Sequence, residues 1–416
     1  MVLHLSTFHL EGGAGVAAAR LHRALQKSGI DSHLLTQFSS REKENVTSLA
    51  DTKWQTRKAW SYFIAERLAF YPHEKDASVR FAFSPAEAGV DISEHPLVRE
   101  ATVIHLHWVN FGFLSISSLQ KLFLLGKPIV WTLHDMWTFT GGCHYSRGCD
   151  KFLTHCGYCP YLAKPDRYDI SFSQFEAKEA LYAKPDLALI SPSNWLDQMV
   201  KNAPLTAGNS SKCIPNCIDT QFFTPLDQNI VRVNLGLPVD KTLILFTGAN
   251  IQDVRKGFSY FQEALALAKS HFPHIEVMIF GKADKDNLVD FPVPVHYLGK
   301  ITEPQGMVDA YNAADLIVVP SLEDNLPNTI MEAMSCGTPA VGFATGGIPE
   351  MIDHKKNGYV AELRSVLSLT EGIKWVLEND QGGKIAALAR EKVLESYSEH
   401  IIADQYQQLY QSLLNG

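Results

Sequence analysis

Short apolar runs rich in Val, Ile, Leu and Phe alternate, along nearly the whole chain, with stretches in which apolar residues recur every three or four positions. The runs suit strands buried on both faces and the periodic stretches suit helices lying over them, so the pattern predicts parallel sheets covered by helices. The first half opens on a strand, Met1-Val-Leu-His-Leu-Ser, turns at Glu11-Gly-Gly-Ala-Gly and enters a helix at Val16. Later strands are expected at Val103-Ile-His-Leu-His, Ile129-Val-Trp-Thr-Leu-His and Leu187-Ala-Leu-Ile-Ser. The order then restarts. Leu243-Ile-Leu-Phe-Thr-Gly, a polar loop, Lys256-Gly and a helix from Phe258 repeat the opening, and strands follow at Glu276, Val295, Leu316 and Pro339. Pro, Asn and Asp gather between Cys213 and Pro238, where the boundary between two doubly wound α/β domains is expected.

Composition narrows the function. A chain of 416 residues has room for two or three domains, and 46% hydrophobic with 20% charged residues describes an ordinary globular protein. A net charge of -8 argues against nucleic acid as a partner, because phosphate binding needs a broad Lys/Arg field. Met1 to His9 lacks the basic n-region of a signal peptide, and no run approaches the ~18 apolar residues of a membrane span, so a cytoplasmic location is expected. Peripheral contact with a membrane is a further expectation. Trp54, Trp60, Tyr62, Phe63, Phe70 and Tyr71 are interleaved with Arg57, Lys58 and Arg67, a stretch that suits either a membrane surface or a helix buried in the first domain.

The densest chemistry lies in Pro320-Ser-Leu-Glu-Asp-Asn-Leu-Pro-Asn-Thr-Ile-Met-Glu-Ala-Met. It follows a strand end, where open α/β sheets bind ligands, and Pro327 is placed to begin a helix whose free amides, at Asn328 and Thr329, would face an anion. Asp324 and Glu332 are carboxylates able to accept hydrogen bonds from vicinal diols, as a sugar and a ribose present them. Arg255 and Lys256, in the loop before the helix at Phe258, could neutralise a diphosphate leaving group.

The segment resembles glycosyltransferase family four, whose members have the GT-B fold, two Rossmann-like domains facing a central cleft. The resemblance extends over nearly the whole chain: Gly12-Gly-Ala-Gly, Ser191-Pro-Ser-Asn-Trp, Ile214-Pro-Asn-Cys-Ile-Asp and Gly346-Gly-Ile-Pro-Glu fall in the family's order. It implies an acceptor-side domain over 1–215, a donor domain over 216–396, and a C-terminal helix over 397–416 that returns to the first. It also implies retaining transfer of a hexose from a nucleotide diphosphate sugar, best a UDP-sugar, to a glycan or lipid-linked saccharide in polysaccharide biosynthesis. Glu332 would hold the ribose. Asp324, Asn325, Leu326, Asn328 and Thr329 would meet the donor sugar and phosphates, Gly13 and Gly15 would approach the diphosphate, and Ile301 would lie at the base. His134 would stand beside the reacting carbon, oriented by Asp135. Two departures stand out: Asp324 replaces the usual Glu, and Asn325-Leu-Pro replaces the commoner Gly-Phe-Gly.

His105 and His107 alternate on one strand face and suit packing or the acceptor side. Cys143, Cys149, Cys156 and Cys159 crowd into one glycine-rich loop. Four thiolates could hold a structural zinc, while free thiols or disulfides are the alternatives; no cofactor is expected in catalysis. Competing readings are a non-catalytic nucleotide-sugar-binding protein, a metal-dependent GT-A transferase using Asp284 and Asp286, and a dinucleotide oxidoreductase. The last lacks the ribose-binding acid after its second strand.

Overall fold

The computed structural model describes residues 1–39, 44–183, 187–250, 253–282 and 291–415. They form two compact units, Met1–Pro215 with Ile402–Gly416, and Asn216–Ile401.

In the first unit seven parallel strands run β1 (Val2–Phe8), β2 (Ser32–Phe38), β3 (Val46–Ser48), β4 (Val103–Leu106), β5 (Ile129–Thr132), β6 (Leu187–Ser191) and β7 (Ser210–Cys213), in the spatial order β3-β2-β1-β4-β5-β6-β7. The chain winds outward from β1 to β3, then returns to the other side of β1 with β4. Between β1 and β4 the crossovers part in opposite directions, and such a switch point leaves a crevice at the carboxyl ends of the strands. Leu3, Leu5, Ile104, Leu106 and Trp131 are fully or almost fully buried on one sheet face. The opposite face carries His4, paired in register with His105. Tyr406 and Tyr410 of helix Glu399–Asn415 cover it, with the Tyr410 hydroxyl 2.7 Å from His105 Nδ1 and the Tyr406 hydroxyl 2.8 Å from Thr132 Oγ1.

The second unit repeats the plan with β8 (Thr242–Asn250), β9 (Ile275–Lys282), β10 (Val295–Gly299), β11 (Leu316–Val319), β12 (Ala340–Phe343) and β13 (Gly358–Ala361), ordered β10-β9-β8-β11-β12-β13. Two apolar clusters, one around Tyr311 and Met331 and one around Phe246 and Phe261, cover its two faces. Its switch point lies between β8 and β11.

The glycine turn differs from expectation. The first helix spans Gly12–Lys27, so Gly13 and Gly15 sit in its opening turn rather than in a loop before Val16. A Cβ on Gly15 would lie 2.9 Å from the Phe8 carbonyl oxygen, and its absence lets the helix start press against the end of β1.

Candidate active site

Three loops meet at the carboxyl end of the second sheet. The first follows β8, where Asp253 accepts from the Arg255 amide at 3.0 Å and from the Arg255 guanidinium at 2.6 Å. The second follows β11, and its Leu322 amide donates to the Arg255 carbonyl at 2.7 Å. The third follows β12, and its Gly347 amide donates to the Asn325 carbonyl at 2.7 Å. Two glycines permit the approach: a Cβ on Gly257 would fall 1.9 Å from the Pro320 oxygen and one on Gly346 1.5 Å from the Asp324 oxygen, and both have positive φ.

Within these loops Lys256 Nζ donates to Asp324 Oδ2 at 2.6 Å, and Ser321 Oγ to the same oxygen at 3.2 Å. Burial pushes the Asp324 carboxyl upward, but Lys256, Arg255 and Ser321 outweigh it and hold the group below the ordinary carboxylate range. Helix Asn328–Ser335 begins one residue later than expected, with Pro327 at its cap and no side-chain capping bond. An uncapped helix start of this kind suits an anion. Glu332, buried in that helix, accepts from the Tyr311 hydroxyl at 2.5 Å. Leu326, expected to contact the donor, packs its side chain into the apolar cluster beneath the loop. Ile301, beyond β10, likewise packs on that cluster, and a Cβ on Gly306 would lie 2.9 Å from its Cγ2. Asp284 and Asp286 lie outside the described residues.

In the first unit His134 lies two residues beyond β5. Its Nε2 is 3.1 Å from His107 Nδ1, and His107 Nε2 is 2.9 Å from His4 Nδ1. Asp135 does not orient His134 as expected. Its carboxylate instead accepts from Trp108 Nε1 at 2.8 Å, His144 Nδ1 at 2.7 Å and the Trp137 amide at 2.8 Å. Burial drives His4, His105 and His107 well below 6.5, and lowers His134 to about 4 although Asp135 pulls the other way. Each imidazole is therefore neutral, with one N–H. Counting partners then assigns the protons. If His134 donated inward, the last N–H in the series would be His4 Nε2, which is buried with no partner. If His4 donates to His107 and His107 to His134, the interior keeps only an unpaired acceptor, and the His134 proton sits on Nδ1, facing outward from the relay. His4, His105 and His107 also bring three ring nitrogens within 4.8 Å of one another. They offer a metal little, since His105 is bonded through both nitrogens to Tyr410 and Thr132 and His107 to His4 and His134.

A family model described as Glycosyltransferase Family 4 matches residues 11–222, just over half the chain, and one described as Glycosyl transferases group 1 matches residues 241–379. The chain is a family 4 glycosyltransferase. Among relatives of this transferase is the putative colanic acid biosynthesis glycosyl transferase WcaC of Escherichia coli, 26% identical and aligned over 99% of this chain and 100% of its own. Among solved structures, sucrose-phosphate synthase from Thermosynechococcus elongatus superposes with a TM-score of 0.66 at 17% identity, covering 100% of this chain and 99% of the other. Anabaena HepE in complex with UDP-glucose gives 0.64 at 16% identity, covering 99% of both chains. The transferase has the GT-B fold of these neighbours. No helix among its described residues is long and apolar enough to cross a membrane.

Three bonds in this transferase escaped the sequence reading. Tyr311 donates to Glu332 from a different helix, His107 bonds His134, and His144 bonds Asp135. Only His144 carried a local signal, its place beside Cys143 in the cysteine-rich loop. The aromatic stretch forms helix Lys53–Phe70. It exposes Trp54, Trp60, Ile64 and Leu68, but buries Phe70 and turns Arg67 inward to Glu66 and the Phe83 carbonyl.

Proposed function

We propose that this family 4 transferase moves a hexose, with retention, from a UDP-sugar to a glycan or lipid-linked saccharide acceptor in the synthesis of a polysaccharide. The observation that carries the reading is the convergence of Lys256, Asp324 and the uncapped start of helix Asn328–Ser335 at the switch point of the second sheet. There a diphosphate finds a cation and free amides together, and a sugar finds a carboxylate. WcaC, named for a polysaccharide pathway, and HepE, solved with UDP-glucose, support the choice of pathway and donor.

In this reading Arg255 and Lys256 stabilise charge developing on the departing diphosphate. Glu332, held by Tyr311, accepts from the ribose hydroxyls. Asp324, Asn325, Asn328 and Thr329 meet the sugar and phosphates, the close-packed turn at Gly13 and Gly15 leaves room for the diphosphate, and His134 donates from Nδ1 to a sugar hydroxyl. Retention follows without a protein nucleophile when the leaving phosphate takes the acceptor proton on the face it departs from. Binding of the cations to that phosphate is then strongest in the transition state. A thermal-shift screen of UDP-, GDP- and ADP-hexoses tests the donor. A UDP-hexose is expected to raise the melting temperature most, and preferential stabilisation by a GDP- or ADP-sugar would overturn the choice.

A further inference from the structure

We infer that Cys143, Cys149, Cys156 and Cys159 form a structural Zn²⁺ site that pins the loop following β5. All four side chains line one cavity of about 20 Å³, enough for a single water-sized occupant. None of the seven cysteines is joined in a disulfide, and these four share that cavity although they come from three separate turns.

The backbone is arranged to receive thiolates. The Gly141 amide donates to Cys156 Sγ at 3.1 Å, and the Tyr161 amide donates to the Cys159 sulfur. An N–H two residues beyond a cysteine, aimed at its sulfur, favours the anionic ligand that a metal requires. The later cysteine of each pair follows two residues of positive φ, Arg147 and Gly148 before Cys149 and Gly157 and Tyr158 before Cys159. Arg147 and Tyr158 are strained in that conformation, which a ligand tying the two turns together would offset.

Charge agrees. Lys178 is fully buried beside the loop, its Nζ 2.5 Å from the Trp137 carbonyl and 2.9 Å from that of Thr140. It has no carboxylate ion-pair partner among the described residues, and Lys151 adds a second cation on the cavity wall. Four thiols and Zn²⁺ give a tetrathiolate centre of charge -2 and release four protons, and that centre adds to Asp135 a negative charge beside the buried Lys178 amine. The sulfurs do not yet stand in a trio within 4.8 Å, the spacing shown among the described residues by His4, His105 and His107. Metal entry therefore requires the cysteine side chains to turn between χ1 rotamers until their sulfurs converge on the cavity.

The centre would act at a distance from the metal. The same loop carries His144, which bonds Asp135 at 2.7 Å next to His134.

The test is metal analysis of the full-length protein purified under reducing conditions, with Cys213→Ser as control. About one zinc per chain is expected, unchanged in Cys213→Ser and lost in Cys156→Ser and Cys159→Ser. To separate metal loss from unfolding, wild-type protein stripped by chelator is also titrated with Co²⁺ alone, and the strong thiolate-to-cobalt absorption of a tetrahedral site should reach its end point at one equivalent. Zinc near zero with no cobalt absorption, zinc retained in both loop variants, or disulfides among the four cysteines in non-reducing mass spectrometry would each overturn the site.

Discussion

Lys256 Nζ lies 2.6 Å from Asp324 Oδ2, a charged bond that joins the Leu322–Arg255 backbone bond in holding the loop after β8 to the loop after β11. Neither group makes its partner's charge redundant. A buried carboxylate without the ammonium would be costly, and under the proposed function an arriving diphosphate would compete with Asp324 for the same cation.

Lys256→Gln, which keeps a hydrogen-bond donor but removes the charge, should therefore lower turnover about 100- to 1,000-fold while UDP affinity falls only a few-fold. Steady-state kinetics alongside calorimetric titration of UDP separate the two effects. Equal losses in kcat and affinity would place Lys256 in ground-state binding alone.

Glu332→Ala should weaken UDP binding at least about tenfold, the loss of a charged hydrogen-bond acceptor. Tyr311→Phe, which frees the carboxylate from its 2.5 Å bond, should cost less, about two- to tenfold. A control is 2′,3′-dideoxy-UDP, which wild type and Glu332→Ala should bind alike. Undiminished UDP affinity in Glu332→Ala would remove the ribose assignment.

The contrast between these residues shows what was legible in the chain. The strands at Val2, Val103, Ile129, Leu187, Thr242, Ile275, Val295, Leu316 and Ala340 and the loop from Pro320 to Glu332 follow from local pattern, because buried parallel strands announce themselves as apolar runs and ligands gather at their ends. The packing of the Leu326 side chain was not legible, because a loop residue between polar neighbours gives no local sign that it points downward into the core. Asp135 was misassigned for a similar reason. Adjacency to His134 suggested a pair, but consecutive side chains leave a strand end in different directions, and the bonds to Trp108 and His144 are set by tertiary packing. The relay from His4 through His107 needs β1, β4 and β5 laid side by side, information that no local window contains.

His107→Phe removes the donor that holds the proton of His134 on Nδ1. Long-range proton–nitrogen NMR should then show His134 as a mixture of tautomers, with kcat reduced about tenfold or more and KM little changed. A His134 that keeps a single Nδ1–H tautomer in the variant would contradict the relay.

Stability should fall in mild acid. His134 and His22, both lowered to about 4 chiefly by burial, and the more deeply buried His4, His105 and His107 are neutral when folded. The unfolded chain protonates them near 6.5, so between that pH and about 4 it binds more protons than the native state. Stability therefore rises with pH across this window and is lost as pH falls through it. Urea midpoints at pH 7.5 and pH 5 should differ by more in wild type than in His22→Gln, and equal differences would mean that His22 does not share in the loss.

Retaining transfer from a UDP-hexose is tested most directly without any acceptor. The enzyme is incubated with UDP-glucose, and the sugar released to water is observed by NMR faster than it mutarotates. UDP release with α-glucose as the first-formed anomer, lost in Lys256→Gln, is the expected result; β-glucose appearing first would contradict it.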